Sequence, residues 1–586
     1  QRRDLLRDVG QPAQRNYSFK HVMTQETAYS STLLSKRRDL HRRAAESLQR
    51  QASDDVAAIA RHFLEARQPA RAMPYFVQAG DRAARGYSAV EAIEFYRKAL
   101  EIKASIEGVE LVQQAYEGLG NMLALSDQLA QAIEIFQEML TWAEAQNAAV
   151  MQVSALNKLA SIYALRMGRF ADAEQVLERA EHLAHTHNAK SGVVEGAIIR
   201  CRMCTAMADF DSVLRYMGGV IAIGQDEDNK EHLAMGLEHV ANSYMFLAQF
   251  EQAWRTAQDA LRVAREVGDR EHEAWLLCST MPMCKVRDGE LEQARQMIEE
   301  GVAIANRISS TVPVVLGKWM LVEIARYQGD YEQALLHGQH SLQAALPLEP
   351  FMPFMLVLPL GAVGSVYLEI SHHFTDEIAK FHLHALRLLE NPQATSGGGT
   401  AWADVGLCAL TLGDLQTAEI CFQKGMNVPT MFQRLEWPRY LVGMALIDLA
   451  RGQVDEALAQ VAAADVYAKE RDMRHYAPLI ALTAAQVYAA RAEQEQALAH
   501  FMSAVELAQP MQMRPTIWQA QAGAARVLAA TGRQQEAAVR LADAQRTLDE
   551  IAVLFQDDHL RAAFQTGAQA ALSGIPNQLL SGETHA

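Results

Sequence analysis

The chain has 586 residues, of which 50% are hydrophobic and 21% are charged, and its formal net charge at pH 7 is −16. No segment approaches the roughly 18 to 20 consecutive apolar residues that a membrane-spanning helix requires. The six cysteines fall within predicted helices and form no small-domain disulfide framework. The composition excludes a disulfide-rich secreted domain and predicts a cytoplasmic, all-α protein without membrane contact.

The charge is unevenly distributed along the chain. Residues 1–50 carry eleven Lys and Arg against five Asp and Glu, a net charge of +6, whereas the remainder carries a net charge of −22. Because an acidic surface repels nucleic acid at long range, we expect the later part of the chain to bind none. The sequence starts with Gln1 and has neither an initiator methionine nor a signal peptide, so we expect it to be a fragment.

The first stretch of the chain carries a pattern that does not recur. Aromatic side chains and a histidine alternate at Tyr17, Phe19 and His21, and Tyr29 then leads into an arginine-rich amphipathic helix at residues 37–48. This pattern resembles the end of the winged-helix module in signal-transduction ATPases with numerous domains, the STAND class. The resemblance is closest to bacterial proteins that fuse nucleotide cyclase domains, such an ATPase and a tetratricopeptide-like tail.

The resemblance covers residues 1–50 and the general character of the repeats after them. It implies that residues 1–50 are the last part of a winged helix and that the nucleotide-binding domain lies upstream. Relatives with the same junction carry cyclase, kinase or transcription-factor domains, so the output domain stays open. The maltose-regulon activator class has tails of similar repeat length.

After a predicted helix at residues 53–66, the helices at 70–85 and 87–100 form a first helical hairpin. Ala92 lets the two helices approach closely, and Tyr96 fills the gap between them. This spacing matches the second helix of a tetratricopeptide unit. We therefore predict that an array of such hairpins begins here.

The rest of the chain repeats one pattern with a period of about 40 residues. A turn residue is followed by an apolar or aromatic residue and then by a small one, as in Gly329-Asp330-Tyr331-Glu332-Gln333-Ala334. The copies begin at Gly86, Ser126, Gly168, Ala208, Ala248, Gly289, Gly329, His372, Gly413, Gly452, Ala492 and Gly532. We predict an all-α, right-handed superhelical solenoid of about twelve hairpins over residues 51–555. Residues 556–586 are predicted to form a capping helix and a frayed tail.

Two segments interrupt the repeat pattern. Three prolines lie at the start of a predicted helix, within residues 346–353, and residues 391–400 form a low-complexity linker with three consecutive glycines. We predict a flexible hinge at 391–400, and the alternative is an ordinary long loop.

No sequence motif predicts catalysis or cofactor binding. The chain has no Gly-x-x-x-x-Gly-Lys-Ser/Thr phosphate loop. Cys201 and Cys204 have no second cysteine pair at zinc-site spacing, and helix packing explains them better than metal binding. The histidines at 182, 185 and 187 lie at a predicted helix end, where imidazolium is favoured. We therefore predict no cofactor, no metal and no enzymatic activity in this chain.

The predicted binding surface is the concave side of the array, which the first helix of each hairpin lines in tetratricopeptide proteins. The family spacing places these residues on it: Trp319, Glu323, Arg326, Glu238, Asn242, Glu195, Arg202 and Arg439. Trp319, Glu323 and Arg326 share one helical face and would offer a peptide or small effector an aromatic anchor beside a charge pair. The alternative is that Trp319 packs into the neighbouring repeat and that the charged side chains are solvated.

These observations predict a non-catalytic, protein- or effector-binding sensor and scaffold arm of a multidomain STAND ATPase. In that family the arm is expected to bind an effector with different affinity in two states and so to bias the ATPase. The alternative is a free-standing tetratricopeptide scaffold that assembles partner proteins. An enzyme with a site in the groove is a weaker third hypothesis, because no nucleophile, base or metal set clusters in the sequence.

Overall fold

The structure is a computed structural model that describes residues 6–8, 17–19, 21–51, 53–86, 88–106, 108–350 and 352–573. The chain divides into two compact units, Gln1–Gly196 and Ala197–Ala586. Both are arrays of antiparallel helical hairpins, which confirms the predicted all-α fold. No helix in the described part of the chain is long and apolar enough to cross a membrane.

The first unit contains a short antiparallel pair of strands followed by helices. The strands are β1 (Leu6–Asp8) and β2 (Tyr17–Phe19). The helices that begin in this unit are α1 (Val22–Ser30), α2 (Leu34–Arg50), α3 (Val56–Glu65), α4 (Pro69–Arg85), α5 (Ala89–Glu101), α6 (Glu110–Leu125), α7 (Leu129–Ala145), α8 (Ala149–Ser161), α9 (Phe170–Thr186) and α10 (Lys190–Ala206). The division between the two units falls within α10. A 3₁₀ turn at Lys103–Ser105 and a π-helical turn at Ile162–Arg166 also belong to this unit.

The second unit continues the same hairpin pattern. Its helices are α11 (Phe210–Asp226), α12 (Lys230–Phe246), α13 (Phe250–Val267), α14 (Arg270–Cys278), α15 (Thr280–Asp288), α16 (Leu291–Arg307), α17 (Thr311–Gln328), α18 (Tyr331–Ala345), α19 (Phe354–Ile370), α20 (Thr375–Leu388), α21 (Pro392–Thr395), α22 (Gly398–Thr411), α23 (Leu415–Asn427), α24 (Gln433–Ala450), α25 (Val454–Glu470), α26 (Ala477–Ala490), α27 (Gln494–Ala508), α28 (Arg514–Ala530), α29 (Gln534–Leu554) and α30 (Asp558–Ser573). Two 3₁₀ turns lie at Leu346–Leu348 and Arg474–Tyr476.

The recurring turn residue joins the two helices of each hairpin. Gly329 ends α17 with a φ of 75°, a left-handed conformation that glycine adopts without strain. The next residue, Asp330, caps α18 by accepting a hydrogen bond from the backbone N–H of Gln333 at 3.3 Å. Asp414 caps α23 in the same way after Gly413. The sequence signal is therefore a helix stop followed at once by a helix start.

Small residues allow the helices within and between hairpins to approach closely, as the sequence predicts. A Cβ atom at Gly406 would lie 2.6 Å from the ring of Phe422, which is fully buried. In the first unit, a Cβ atom at Gly80 would lie 2.6 Å from the ring of Tyr96. The aromatic ring fills the space that the missing side chain leaves.

The interpretation of residues 391–400 as a low-complexity linker is wrong, while the hinge expected there stays a prediction. Residues 392–395 form the short helix α21, and α22 already starts at Gly398. Cβ atoms at Gly397, Gly398 and Gly399 would lie 2.9 Å or less from Phe354, Leu389 and Thr430, respectively. The glycines are needed for close packing and not for flexibility, a distinction that composition does not reveal.

The two ends of the array match the sequence-based expectations in part. The capping helix α30 starts two residues after the predicted boundary at Gln556, and it buries Phe564 and Leu572. The predicted frayed tail at 574–586 lies outside the described residues. The winged-helix origin of residues 1–50 stays a prediction, and so does the domain boundary after residue 50.

Candidate functional site

The first helices of the hairpins carry polar side chains that pair with the next first helix. In the first unit, Glu117 on α6 accepts a hydrogen bond from the Ser154 hydroxyl on α8 at 2.6 Å. Lys158 on α8 donates to Glu195 on α10 at 2.6 Å, and the Asn157 amide approaches the same carboxylate at 3.4 Å. We call these five side chains the polar ladder. Lys158 and Glu195 keep 26% and 34% of their side-chain surface exposed, so this pair is in contact with water, whereas Ser154 and Asn157 are buried.

In the second unit, first helices from repeats far apart in the sequence contact one another. α17 contacts α28, and α12 contacts α24. The Arg514 guanidinium donates to the Gln328 carbonyl at 2.8 Å, and the backbone N–H groups of Gln556 and Asp557 donate to the Glu332 carboxylate. The first helices of this unit therefore enclose a buried region, which we call the inner core.

The centre of the inner core is a pair of arginines on either side of one aspartate. Asp404 on α22 accepts from Arg439 on α24 at 2.6 Å and from Arg326 on α17 at 3.3 Å. The side chain of Asp404 is 1% exposed, and those of Arg326 and Arg439 are 9% and 8% exposed. Arg326 and Asp404 lie 78 residues apart in the sequence.

Three further carboxylates complete this buried charge network. Arg326 pairs with Glu323 at 3.1 Å and with Glu369 on α19 at 2.7 Å, and Arg439 pairs with Glu436 at 2.9 Å. Burial alone would raise the pKa of the Asp404 carboxyl, but the two guanidinium groups outweigh it and lower that pKa. Burial raises the pKa of Glu436 and, despite the nearby arginine, raises that of Glu323 to about 7.

Trp319 packs inside the inner core and is only 3% exposed. Its ring meets Phe432 edge-on, with 5.3 Å between the ring centroids. In this conformation a binding partner cannot contact the indole. The alternative interpretation, in which Trp319 packs into the array, therefore describes its position. The ring that it meets belongs not to the neighbouring repeat but to Phe432, the residue directly before α24 and far along the chain.

A small cavity lies beside Trp319 within the inner core. It has a volume of about 40 Å³, and Glu323, Glu436, Tyr327 and His475 are among its lining residues. The indole N–H of Trp319 and the Nδ1 atom of His475 are buried without a hydrogen-bond partner. We call this space the inner cavity; its volume is sufficient for at least one water molecule.

Glu238 and Asn242 form a second, separate cluster of the predicted residues. The Asn242 amide donates to the Glu238 carboxylate and accepts from the Thr280 hydroxyl on the following first helix. Glu238 is 3% exposed, and burial raises its pKa to about 8. His239 lies 3.5 Å from this carboxylate, and burial lowers its pKa to about 4. These groups hold adjacent helices together and leave little surface for a partner.

The structure thus brings Trp319, Glu323, Arg326 and Arg439 together, as their shared helical position indicates, but inside the protein. Glu195 lies on the water-accessible polar ladder, and Arg202 is exposed. Sequence reasoning missed Asp404, Glu369 and Glu436. The signal for Asp404 was available, because it is the only charged residue in the helix Gly398–Thr411. A lone charge in an apolar helix predicts a buried partner.

The remaining candidate residues show no sign of a catalytic or metal centre. All six cysteines are buried as free thiols, and burial raises the pKa of Cys201 to about 12. Among the residues that the structure describes, no group of three or more His, Cys, Asp or Glu side chains is placed to hold a metal ion.

Comparison with known proteins gives no family assignment. No protein-family model matches the chain. A curated relative, an uncharacterised protein of Rhizobium meliloti (strain 1021), is 32% identical over 102 residues. These residues make up 17% of this chain and 10% of that protein, so the match spans a small part of the relative's length.

Similar solved structures are tetratricopeptide-type arrays. One is a STAND protein with a tetratricopeptide-repeat sensor from Pyrococcus horikoshii (15% identity, TM-score 0.40), with 66% of this chain and 57% of that one aligned. The Cut9–Hcn1 tetramer of the APC/C has 13% identity and a TM-score of 0.43, with 81% and 94% aligned. A Rap protein complexed with Competence and Sporulation Factor has 15% identity and a TM-score of 0.42, with 61% and 97% aligned. At these scores the likeness carries no argument about function.

Proposed function

We propose that this chain is a non-catalytic, partner-binding arm of a multidomain STAND ATPase that transmits a signal. The proposal combines the junction pattern at residues 17–48 with the array of tetratricopeptide-like hairpins. The single observation that carries it is an exposed apolar surface on α1 and α2, next to the first hairpins. In the rest of the described residues, exposed large apolar side chains lie further apart along the chain.

Large apolar side chains are concentrated on this N-terminal surface. Its exposed members are Phe19, Val22, Met23, Tyr29, Leu33, Leu34 and Leu40. Met23 and Leu33 are 74% and 75% exposed, and helix α1 buries none of its residues. Such a concentration of exposed apolar side chains in one short stretch supports a contact with another protein surface, because exposure to water is unfavourable.

Basic side chains border the apolar surface and indicate the charge of its partner. Lys36, Arg38 and Arg43 are exposed, and none has a hydrogen-bond or ion-pair partner among the described residues. A partner with apolar and acidic side chains would fit both features. We propose that this partner is the ATPase portion of the same signalling protein.

The proposed effector site is the polar ladder of the first unit. It combines carboxylates and an ammonium group on neighbouring first helices, and its Lys158–Glu195 pair remains accessible to water. Such a surface can bind an extended peptide or a small polar effector, because both partners can exchange hydrogen bonds with water for hydrogen bonds with each other. Trp319 and the buried charge network do not offer such a surface while the inner core is closed.

The upstream DNA provides the decisive test of the ATPase connection. A reading frame that encodes a phosphate-loop ATPase and continues into Gln1 would support the proposal. A start codon within a few residues of Gln1 would overturn it and leave the free-standing scaffold. The scaffold alternative is favoured by the polar ladder, which needs no ATPase in order to bind a partner.

The N-terminal surface itself can be tested in the full gene product. Leu33→Asp should detach the ATPase portion and increase proteolysis between α1 and α2, since a buried charge would oppose docking. Val90→Asp is the matched control, because Val90 is an isolated apolar residue, 81% exposed, on α5. Equal proteolysis of both variants and of the unchanged protein would contradict the docking role.

A further inference from the structure

The buried charge network contains more negative than positive groups. Two guanidinium groups, Arg326 and Arg439, face four carboxylates: Glu323, Glu369, Asp404 and Glu436. If all six groups are ionised, the network has a net charge of −2 in a region that water reaches poorly. Isolated buried charge is unfavourable, so a further positive charge or a proton would stabilise the closed inner core.

The excess negative charge is located at two of the four carboxylates. Both arginines bind the Oδ1 atom of Asp404 and hold the pKa of this carboxyl low, so it stays ionised although its Oδ2 atom has no hydrogen-bond partner. Glu369 is 33% exposed and can be solvated. Glu323 and Glu436 each pair with one arginine three residues later in their own helix. Both of these carboxylates line the inner cavity, so the charge that is least compensated faces the same small space. Arg287 also lines this cavity, but its guanidinium pairs with Asp288 and Asp472 and does not neutralise the network.

The polar atoms that line the inner cavity point to bound solvent within it. The indole N–H of Trp319, the Nε–H of Arg287 and the Nδ1 atom of His475 lack hydrogen-bond partners. Trp319 and His475 are 3% and 6% exposed, so bulk water does not satisfy them. The two N–H groups need a hydrogen-bond acceptor, and an unprotonated Nδ1 atom needs a donor. Water or a protonated carboxyl group can serve as both, so either fits the cavity better than a metal cation.

We infer that closure of the inner core takes up one proton from solvent, and that Glu323 or Glu436 holds this proton in the inner cavity. The step forms one O–H bond on a carboxylate oxygen and changes the net charge of the network from −2 to −1. The protonated carboxyl group becomes a donor as well as an acceptor. Closure of the second unit is thereby coupled to the pH of its surroundings.

Groups from several helices surround the two carboxylates. The charged groups that face or adjoin them are Arg287, Arg326, Arg439, Glu369 and Asp404. The uncharged titratable groups nearby are Tyr327, Tyr476, His382 and His475. Burial lowers the pKa of His475 to about 3, so this imidazole is neutral near pH 7 and does not supply the missing positive charge.

The sign of the pH dependence follows from the carboxylates. Burial raises the pKa of Glu323 from its ordinary value of 4.5 to about 7. Its contribution to the stability of the closed state is present in full below pH 4.5 and is lost as the pH rises through about 7. The buried histidines act in the opposite direction, but only below their ordinary pKa of 6.5. The histidine contribution is common to the unchanged protein and to its Glu→Gln variants, so the difference between them isolates the carboxylates.

Hydrogen exchange of α17 and α24 between pH 5 and pH 9, corrected for the intrinsic pH dependence of exchange, tests the inference. Relative to the variants below, the opening constant of the unchanged protein should rise by up to roughly tenfold per pH unit as the pH approaches about 7, and it should level off above that pH, as expected for one proton that only the closed state holds. Glu323→Gln and Glu436→Gln should each reduce this slope. Glu299→Gln, at an exposed position of α16, should retain it. Glu238 titrates in the same unit, but its contribution is common to all of these proteins.

An unchanged slope in both cavity variants would overturn the inference. So would an opening constant that responds to the exchange of K⁺ for choline at fixed ionic strength, because a bound cation and not a proton would then neutralise the network. Infrared spectroscopy gives a second readout if a variant folds poorly. The unchanged protein at pH 6 should show the C=O stretch of a protonated carboxyl group, and Glu323→Gln or Glu436→Gln should weaken it. Because Glu238 also contributes to this band, an intensity that is the same in both variants and in the unchanged protein would contradict the proposal.

Discussion

The first helices of the two units carry similar polar side chains in different surroundings. In the first unit, Lys158 and Glu195 form an ion pair that stays in contact with water. In the second unit, Arg439 and Asp404 form an ion pair at the same distance of 2.6 Å, but both side chains are almost completely buried. The difference arises because first helices of distant repeats contact one another in the second unit.

This comparison shows that a repeat motif determines the hairpin but not the environment of its inner side. An ion pair in contact with water contributes about 0 to 1 kcal/mol, because the gain in attraction is offset by lost hydration. Removing one member of a buried pair leaves an uncompensated charge and costs about 3–5 kcal/mol. The same type of contact therefore has a small energetic effect in the first unit and a large one in the second.

The largest effect is expected for the double substitution Trp319→Ala and Arg326→Ala. Loss of the buried indole costs about 3–5 kcal/mol, and loss of the guanidinium leaves Asp404 and Glu369 without one of their partners. Unit-resolved hydrogen exchange should show the second unit unfolded and the first unit protected. The variant would therefore report on folding and not on partner binding.

The control for this double variant is Val466→Ala with Arg255→Ala, at exposed positions of the same unit. It should leave both units as protected as in the unchanged protein. A second unit that stays folded without Trp319 and Arg326 would show that the inner core is not closed.

A paired substitution measures the contrast between the two units directly. Asp404→Ala should destabilise the second unit by about 3–5 kcal/mol, since two arginines lose their shared partner in a buried site. Glu195→Ala should destabilise the first unit by at most about 1 kcal/mol. Hydrogen exchange followed separately in α22 and α8 gives both values. Comparable losses of stability in the two units would contradict the proposed difference in solvation.

A third test concerns a feature that the two units share. Gly80→Ala and Gly406→Ala each place a methyl group against a buried ring, and each should cost about 1–3 kcal/mol through overpacking. Gly218→Ala on α11 is the control, because no atom lies near the added methyl group. It should stabilise its helix by about 0.5–1 kcal/mol. A difference between Gly80 and Gly406 would indicate that packing between helices, and not solvation, distinguishes the units.

The fold could be predicted from the sequence to a large extent because its signals are local. The left-handed residue Gly329 and the cap Asp330 are adjacent, and the small and aromatic residues of one hairpin lie within a few turns of each other. The error at residues 391–400 came from composition. Three consecutive glycines are typical of a linker, whereas their neighbours in space, which the sequence does not reveal, require the absence of side chains.

The candidate site could be predicted only in part. Helical spacing correctly placed Trp319, Glu323 and Arg326 on one face of a first helix. It could not show that this face meets Asp404, because contact between repeats 78 residues apart depends on the small rotation added at each hairpin. The same rotation decides which first helices remain accessible, so Glu195 and Arg439 received the same prediction but occupy different environments.

Hydroxyl-radical footprinting with residue-level mass spectrometry tests the closed inner core most directly. Trp319 is intrinsically reactive and should nevertheless be modified as slowly as the fully buried Tyr116, while the exposed Tyr29 is modified rapidly. Modification of Trp319 at the rate of Tyr29 would show that the inner side of the second unit is open to solvent. In that case the buried charge network, its proton and the contrast between the two units would all be contradicted.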